Sequence, residues 1–370
     1  MRALLTSVRS RVSPIGVDVG AASIRAVQLR RADAAWELIR AVQTPARRDE
    51  AGDPDPQASA DCMRSLLQRH GFAGRDACAG IGPPQAELHV LELPAETAAS
   101  DGPDQAIHAE LQRLLHAGAG DYETGYWTLP KKRADLLGAV GVAVRRDHAV
   151  RTWDLCHRAG LDCRRIDASA CALARFATLL RGSPPDTAHE VRGILDLGHC
   201  NARLILCLGE VPVLTRVLDA GGSRWTGLIA EWFGISSQSA EVHKCDQGVL
   251  PDPAAAGAAP ATLNGLLHTV LRAELETLAS QIERSYAYVL QYYPRSAAGG
   301  LLLTGGGAAL PNLDRYLARK LGIDVRAAAF EPDPGPTRLK DARPADLQKI
   351  PLSELAVAVG LAIPTEATHG

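Results

Sequence analysis

Two short stretches of this chain share one pattern: an apolar run, an aspartate, one further apolar residue and a glycine. They contain Asp18 with Gly20 and Asp196 with Gly198, and the repeat extends to an arginine, because Asp18, Gly20 and Arg25 each recur 178 residues later as Asp196, Gly198 and Arg203. A carboxylate at the end of an apolar strand beside a glycine can hold Mg²⁺ through its waters while neighbouring backbone amides approach phosphate oxygens. Neither turn is a Walker A loop. A third feature, Gly305, Gly306 and Gly307 after the apolar Leu301, Leu302 and Leu303, allows a purine or sugar to approach the backbone without meeting a Cβ. Taken singly, each turn has an ordinary explanation in a capping aspartate and a glycine that suits its backbone. The pairing and its order before the triple glycine favour a nucleotide.

The elements needed to position these residues can be read from periodicity and punctuation. Strands are expected over 15–20 and 24–29, joined as a hairpin by Gly20, Ala21 and Ala22. A charged surface loop covers 45–56. The next helix, with Met63, Leu66 and Leu67 on one side, stops near Gly71, and a strand ends before Gly82. Residues 83–160 hold enough strand and helix patterns for an inserted subdomain, and a helix follows over 168–180 before the punctuation of Pro184 and Pro185. A long helix is predicted over 263–292, with Leu267, Leu271, Leu275, Leu278, Ile282, Tyr286 and Val289 as its buried stripe. Helices are also expected over 225–233, around Leu313 and Leu317, and over 352–361, with exposed loops at 251–260 and 331–345. Trp153, Trp225 and Trp232 are expected as core or interface anchors.

The chain has 370 residues, more than one hydrophobic core ordinarily serves, so two lobes are expected. Its formal charge of −2 gives no overall attraction to nucleic acid or anionic lipid, and no nucleic-acid partner is expected. Eight cysteines without a CxxC pair, and no leader or membrane-spanning pattern, favour reduced thiols in a cytoplasmic protein and give no zinc site. The expected division is an N-terminal tail over 1–14, the first lobe over 15–82, an insertion over 83–160, a return to the first lobe over 161–185, the second lobe over 186–345, and a C-terminal helix and tail over 346–370 that go back toward the first lobe.

The order of five segments gives a more specific reading. GVDVGAASIRAVQL (16–29), RIDASACALAR (165–175), LDLGHCNARLIL (195–206), GGSRWTGLIAEWFGIS (221–236) and LLLTGGGAALPNLDRYL (301–317) together resemble the PilM family of type IV pilus assembly proteins, related in fold to the division protein FtsA. The resemblance spans nearly the whole chain and implies an α/β, two-lobed actin-like ATPase fold with a small subdomain inserted in the first lobe. It matches Asp18 and Gly20 to a first phosphate motif, Asp196 and Gly198 to a second, and Gly305, Gly306 and Gly307 to an adenosine motif. Arg284 and Ser285 match an Arg-Ser pair that borders the base. ATP and Mg²⁺ are the implied cofactors, with Asp18 and Asp196 reaching the metal through waters. The implied partners are the N-terminal peptide of a PilN-like membrane protein, held beside the insertion, and other subunits of the pilus machine. Localisation is then cytoplasmic, at the inner membrane through those partners.

This chain departs from that pattern in both phosphate turns. Ala21 and Ala22 replace hydroxyl residues of the first, leaving backbone amides and Ser23 to meet phosphate, and the second carries His199, Cys200 and Asn201. His199 can donate to a γ-phosphate or obstruct it; its ordinary role is a solvated surface imidazole. These changes weaken the expectation of hydrolysis more than that of binding, since placing a nucleophilic water demands more than holding a phosphate. Three other functions remain open at this point. One is a small-molecule kinase, which needs an aspartate near the γ-phosphate and a substrate pocket. Another is an FtsA-like filament-forming protein, which the nonbasic C-terminus disfavours, and the third is a related secretion-system protein.

Overall fold

The computed structural model describes residues 12–33, 35–48, 55–96, 102–115, 120–131, 135–181, 189–252, 262–330 and 338–365. Pro184 and Pro185, most of the N-terminal tail and of the loop at 251–260, and parts of those at 45–56 and 331–345 lie outside the described residues.

The first sheet starts with an antiparallel meander of β1 (Ile15–Val19), β2 (Ser23–Ala32) and β3 (Ala35–Pro45). Helix α1 (Pro56–Arg69) begins where Asp55 caps the amide of Ala58, with proline in its first turn where no amide partner is needed, and it buries Met63 and Leu67. It leads to β4 (Asp76–Ile81), parallel to β1. An excursion follows, comprising β5 (Ala86–Pro94), α2 (Pro103–Leu115), β6 (Tyr122–Thr128) and β7 (Leu136–Arg145). Its strands form a separate sheet in the order β5-β7-β6, with Ile107 and Leu111 of α2 packed on Leu91, Leu93 and Ala139. The chain rejoins the first lobe through α3 (Arg146–Arg158), β8 (Asp162–Ala168) and α4 (Ser169–Arg181).

The second sheet repeats this plan. An antiparallel meander of β9 (Glu190–Leu197), β10 (Ala202–Leu208) and β11 (Val211–Leu218) is followed by α5 (Gly222–Phe233), α6 (Ser237–Gln247) and the long α7 (Leu263–Tyr292). Then β12 (Ala297–Thr304) lies parallel to β9, a 3₁₀ turn covers Gly306–Ala309, and α8 (Leu313–Leu321) leads to β13 (Val325–Ala327). The orders β14-β3-β2-β1-β4-β8, with β14 at Leu339–Asp341, and β11-β10-β9-β12-β13 put a hairpin and a parallel strand on opposite sides of the aspartate strand in each lobe. The second lobe's core contains the whole predicted stripe of α7, from Leu267 to Val289.

After β13 the chain crosses back. Strand β14 (Leu339–Asp341) pairs with β3, and α9 (Leu352–Ala362) packs on α4 and the first sheet. Every residue of α9 except Glu354 is buried, which suits a helix that is apolar all round. It lies so close to its neighbours that a side chain at Gly360 would overlap the carbonyl of Ala172, and one at Gly16 the carbonyl of Ala358.

Contacts place two expected boundaries differently. Leu155 and Cys156 of α3, read as the end of the insertion, pack with Ile15, Val17 and Met63 of the first lobe. Strand β14, read within the second lobe, belongs to the first sheet. Two of the three tryptophans also depart from expectation: Trp225 is buried, but Trp153 and Trp232 are 46% and 64% exposed. Among the described residues no helix is long and apolar enough to cross a membrane.

The α9 packing gives a direct prediction. Gly360→Ala forces backbone apart in a filled core, so thermal or urea unfolding should show a loss of about 1–3 kcal/mol. A substitution at the same helix that leaves stability unchanged would mean that α9 is not held this closely.

Candidate functional site

A cleft of about 1000 Å³ opens between the two large sheets. It is lined by Asp18, Gly20 and Ser23 from the first hairpin, Asp196, Gly198 and His199 from the second, and Gly305, Gly306 and Gly307 from the junction after β12. The hairpins turn alike: the amide of Gly20 donates to Ser23 O and that of Gly198 to Asn201 O, both at 3.0 Å. The exposed Ala21 and Ala22 and the exposed His199 also face the cavity.

Each aspartate sits directly across its hairpin from the repeated arginine. Arg25 Nη1 lies 3.5 Å from Asp18 Oδ2, and its Nη2 pairs with Glu354 at 2.9 Å. Arg203 holds Asp196 more closely, its Nε donating to Oδ2 at 3.0 Å and its Nη2 to the same oxygen, while Thr304 Oγ1 donates to Oδ1 at 3.3 Å. Burial pushes the Asp18 carboxyl up; Arg25 and Arg203 oppose that shift without cancelling it, and Asp196 adds to it. For Arg203 burial works against the charged form, yet Asp196 and Asp18 together hold its pKa above the ordinary value.

The glycine junction is shaped by contacts behind it. Gly305 has φ 79°, and a Cβ there would lie 2.5 Å from Leu197 O and 2.8 Å from Asp196 Oδ1. Gly306 is different, since a Cβ there would meet open space. The amide of Gly305 donates to Ser353 O at 2.7 Å, which ties this loop to the first turn of α9, and Ser353, Glu354 and Val357 all line the cleft.

Sequence reasoning missed the wall contributed by α6. Lys244 is buried, with Nζ donating to Gly222 O at 3.1 Å, Thr226 Oγ1 at 2.8 Å and Glu241 Oε2 at 2.7 Å. Burial pushes Glu241 up, but the bonds from Lys244 and Thr226 outweigh it and hold its carboxyl below the usual range. The available signal was the helix start at Ser236, whose hydroxyl accepts from the amide of Ser239, with Glu241 and Lys244 three apart behind it. His148, Arg151 and Thr152 of α3 also reach the cleft.

Arg284 is placed elsewhere. It is exposed on α7, donating from Nε to Ser280 O at 3.3 Å, and does not line the cavity. The helical period explains this: Ile282, Ser285 and Tyr286 occupy the buried stripe, which turns Arg284 outward.

The cavity's size and glycine-lined floor suit a nucleotide, and the polar inventory sharpens what kind of group fits. Two donors of lining residues, Arg25 Nε and Trp225 Nε1, have no hydrogen-bond partner, but both atoms are themselves buried, and the open polar atoms include Asp18 Oδ1 and Glu354 Oε1. For a hydrated Mg²⁺, only Asp18 of the two aspartates keeps an oxygen without a partner. Asp196 already accepts on both oxygens, Asp18 faces Arg25, and among the described residues no group of three or more His, Cys, Asp or Glu side chains is arranged to hold a metal.

A second, smaller cavity of about 70 Å³ separates the inserted sheet from the second lobe, between Val90, Leu129 and Leu136 on one side and Val213, Tyr288 and Tyr293 on the other. Beside it Trp127 Nε1 donates to Pro212 O at 2.8 Å, so the insertion touches both lobes.

Comparison with known proteins agrees with this architecture. A solved PilM-PilN type IV pilus biogenesis complex contains a chain 20% identical to this one, the match covering 95% of this chain and 98% of that one with a TM-score of 0.71. The ethanolamine utilization protein EutJ from Carboxydothermus hydrogenoformans is 15% identical over 96% of this chain and 93% of its own, with a TM-score of 0.53. MreB 5 of Spiroplasma citri bound to AMPPNP is 12% identical over 95% of each chain, with a TM-score of 0.50. These likenesses identify the two-lobed arrangement as the actin-like ATPase fold. The family model described as type IV pilus assembly protein PilM matches residues 16–366, and with the match running from the first aspartate strand to beyond the last helix, the chain belongs to the PilM family.

Proposed function

We propose that this protein is a cytoplasmic scaffold or regulatory subunit of a type IV pilus-like machine, binding ATP between its lobes and the N-terminal peptide of a PilN-like membrane protein beside its inserted sheet. The observation that carries the nucleotide part is the convergence of Asp18, Asp196 and the glycine junction on one cleft. The partner part draws on family membership and on the likeness to a chain from a PilM-PilN complex. Attachment to the inner membrane would then come through the partner, alongside other pilus subunits.

Within the cleft, the hairpin amides and the first turns of α5 and α9 would face the phosphates, and Gly306 leaves room beside them. Gly305→Ala puts a methyl group at positive φ against Leu197 and Asp196, so ATP affinity should fall about tenfold or more, a cost of at least ~1.4 kcal/mol. Arg284→Ala should leave affinity unchanged. Isothermal titration calorimetry on both variants, with folding checked by circular dichroism, measures the contrast; an unchanged affinity for a folded Gly305→Ala protein would remove the junction from the site.

Turnover is expected to be weak. Asp196 accepts on both oxygens, from Arg203 and Thr304, and Ala21 and Ala22 give the first turn no hydroxyl group, while Asp18 Oδ1 and Glu354 Oε1 stay open. Placing a nucleophilic water demands more than holding a phosphate, and neither turn supplies a hydroxyl-rich network for it. Phosphate release by the isolated chain should therefore stay below about 1 per second. Release at or above that rate, abolished by Asp196→Ala, would make the protein an enzyme.

For the partner peptide, the proposed surface is the junction where the inserted sheet meets the first lobe. There Ala86, Val142 and Val144 pack with Ile81 and Ala149, Leu88 and Ile166 are partly buried against them, and β5 forms the edge of the inserted sheet. An open strand edge beside apolar side chains can take an extended peptide by backbone pairing. Titrating the N-terminal peptide of the cognate PilN-like protein should protect amides of β5 and its surroundings from hydrogen exchange. Protection confined to the interlobe cleft, or to the wall at Val213 and Tyr288, would place the partner elsewhere.

A further inference from the structure

Away from the cleft, the lobes are joined along α4. That helix starts at Ser169, in the cleft wall, and finishes at Arg181, about 18 Å further along its axis. Its body packs on the second sheet, where Ala177 and Leu180 share a core with Ile194, Cys207 and Leu302. Residues opposite one another in a ladder stand on one face of a sheet, so Arg192, across from Cys207, and Arg326, across from Leu302, project to the side that α4 covers. Three arginines, one from the first lobe and two from the second, therefore gather where α4 ends. The backbone of a fourth is beside them, since the amide of Arg338 donates to Leu179 O at 3.0 Å.

Two of the three already have partners. Arg192 Nε donates to Glu190 Oε2 at 2.7 Å, and Arg326 is also engaged. Arg181 differs: it is half-buried, and among the described residues its guanidinium makes no hydrogen bond and no ion pair. The carbonyls at the end of a helix favour a cation in the last turn. Even so, burial and then the charges of Arg192 and Arg326 outweigh the opposing influence of Cys207 and Glu190, and bring the Arg181 pKa down to about 10. The side chain keeps its charge at neutral pH, so the repulsion persists there. A half-buried, repelled guanidinium without an acceptor is a place where an anion gains more than it does at an ordinary surface arginine.

We propose that the seam between α4, β9 and β13 binds a compact oxyanion, phosphate or a small phosphomonoester, with Arg181 as its central contact and Arg192 and Arg326 beside it. Arginine suits this task because its planar fork gives paired bonds to an oxyanion, and Arg192 can hold Glu190 on one edge while another faces the ligand. A phosphate group brings three strong acceptor oxygens and close to two negative charges near pH 7, so it can meet donors arriving from both lobes. Bound there, it fastens the lobes at a distance from the cleft. The site is independent of what the cleft holds.

The test is calorimetric titration and thermal unfolding of the full chain with inorganic phosphate and with glycerol phosphate, each against sodium chloride at equal ionic strength. Phosphate should raise the unfolding temperature of the wild type where chloride does not. Arg181→Gln should lose about tenfold or more in phosphate affinity, as expected for a charge-assisted bond. In chloride the same variant should unfold no lower than the wild type, because it removes a cation that its neighbours repel. Arg181→Lys keeps the charge without the fork and should retain part of the affinity. A response to both probes means that the site admits an ester, and a response to phosphate alone restricts it to the free ion; either upholds the site. Wild type that ignores phosphate, or Arg181→Gln that binds it unchanged, would overturn the proposal. So would an Arg181→Gln protein destabilised equally in phosphate and in chloride, since Arg181 would then serve the fold through an acid of the chain itself.

Discussion

The constraint on which the cleft depends is the carboxylate of Asp196, held at 5% exposure where only pairing keeps a charge affordable. Arg203 answers it from the facing position on β10, and that geometry follows from hairpin register: in an antiparallel ladder the two residues stand opposite each other on one face. The turn between them closes through Gly198, and the same strand places Leu197 against Gly305 and Gly307. The glycine junction thus takes its shape from the aspartate hairpin.

The first lobe repeats this arrangement with a looser hold. Arg25 is 3.5 Å from Asp18 and shares its charge with Glu354 of α9, so the C-terminal helix enters the electrostatics of the first hairpin. The residue before Glu354 accepts the amide of Gly305, which brings the same helix turn into contact with the second lobe's junction. Helix α9 is therefore anchored in one lobe by its buried body and tied to the other by its first turn. The inserted sheet makes a second tie, through Trp127 to Pro212 and through Leu129 against the second lobe's core.

Much of this was legible in the sequence because it rests on periodicities and short-range turn chemistry. The aspartate hairpins, the triple glycine and the full length of α7 depend on local patterns, and the structure brings the residues of the first two to one cavity. Less legible was what depends on long-range pairing. Strand β14 is three residues long and finds its partner β3 about 300 positions earlier, a pairing that no local pattern announces. Arg284 was misplaced because its pairing with Ser285 in a resemblance said nothing of which face of α7 each would take; the buried stripe around Ser285 decides that. Lys244 was overlooked because the polar α6 has a weak apolar stripe, and its burial arises from three acceptors supplied by two helices.

The two cross-lobe ties give the proposed scaffold role a physical basis. A ligand drawing the phosphate hairpins together must act against or along both the α9 contact and the insertion's contact at Pro212, since both span the same gap. Where a partner on the inserted sheet and a ligand in the cleft favour different settings of these contacts, each alters the other's affinity by the same factor. Such coupling needs a ligand that stays bound. The buried Asp196, paired with Arg203 and accepting from Thr304, gives the second hairpin a fixed geometry around such a ligand. The α9 contact with Gly305 and the insertion's contact at Pro212 therefore tie whatever occupies the cleft to the inserted sheet across one gap.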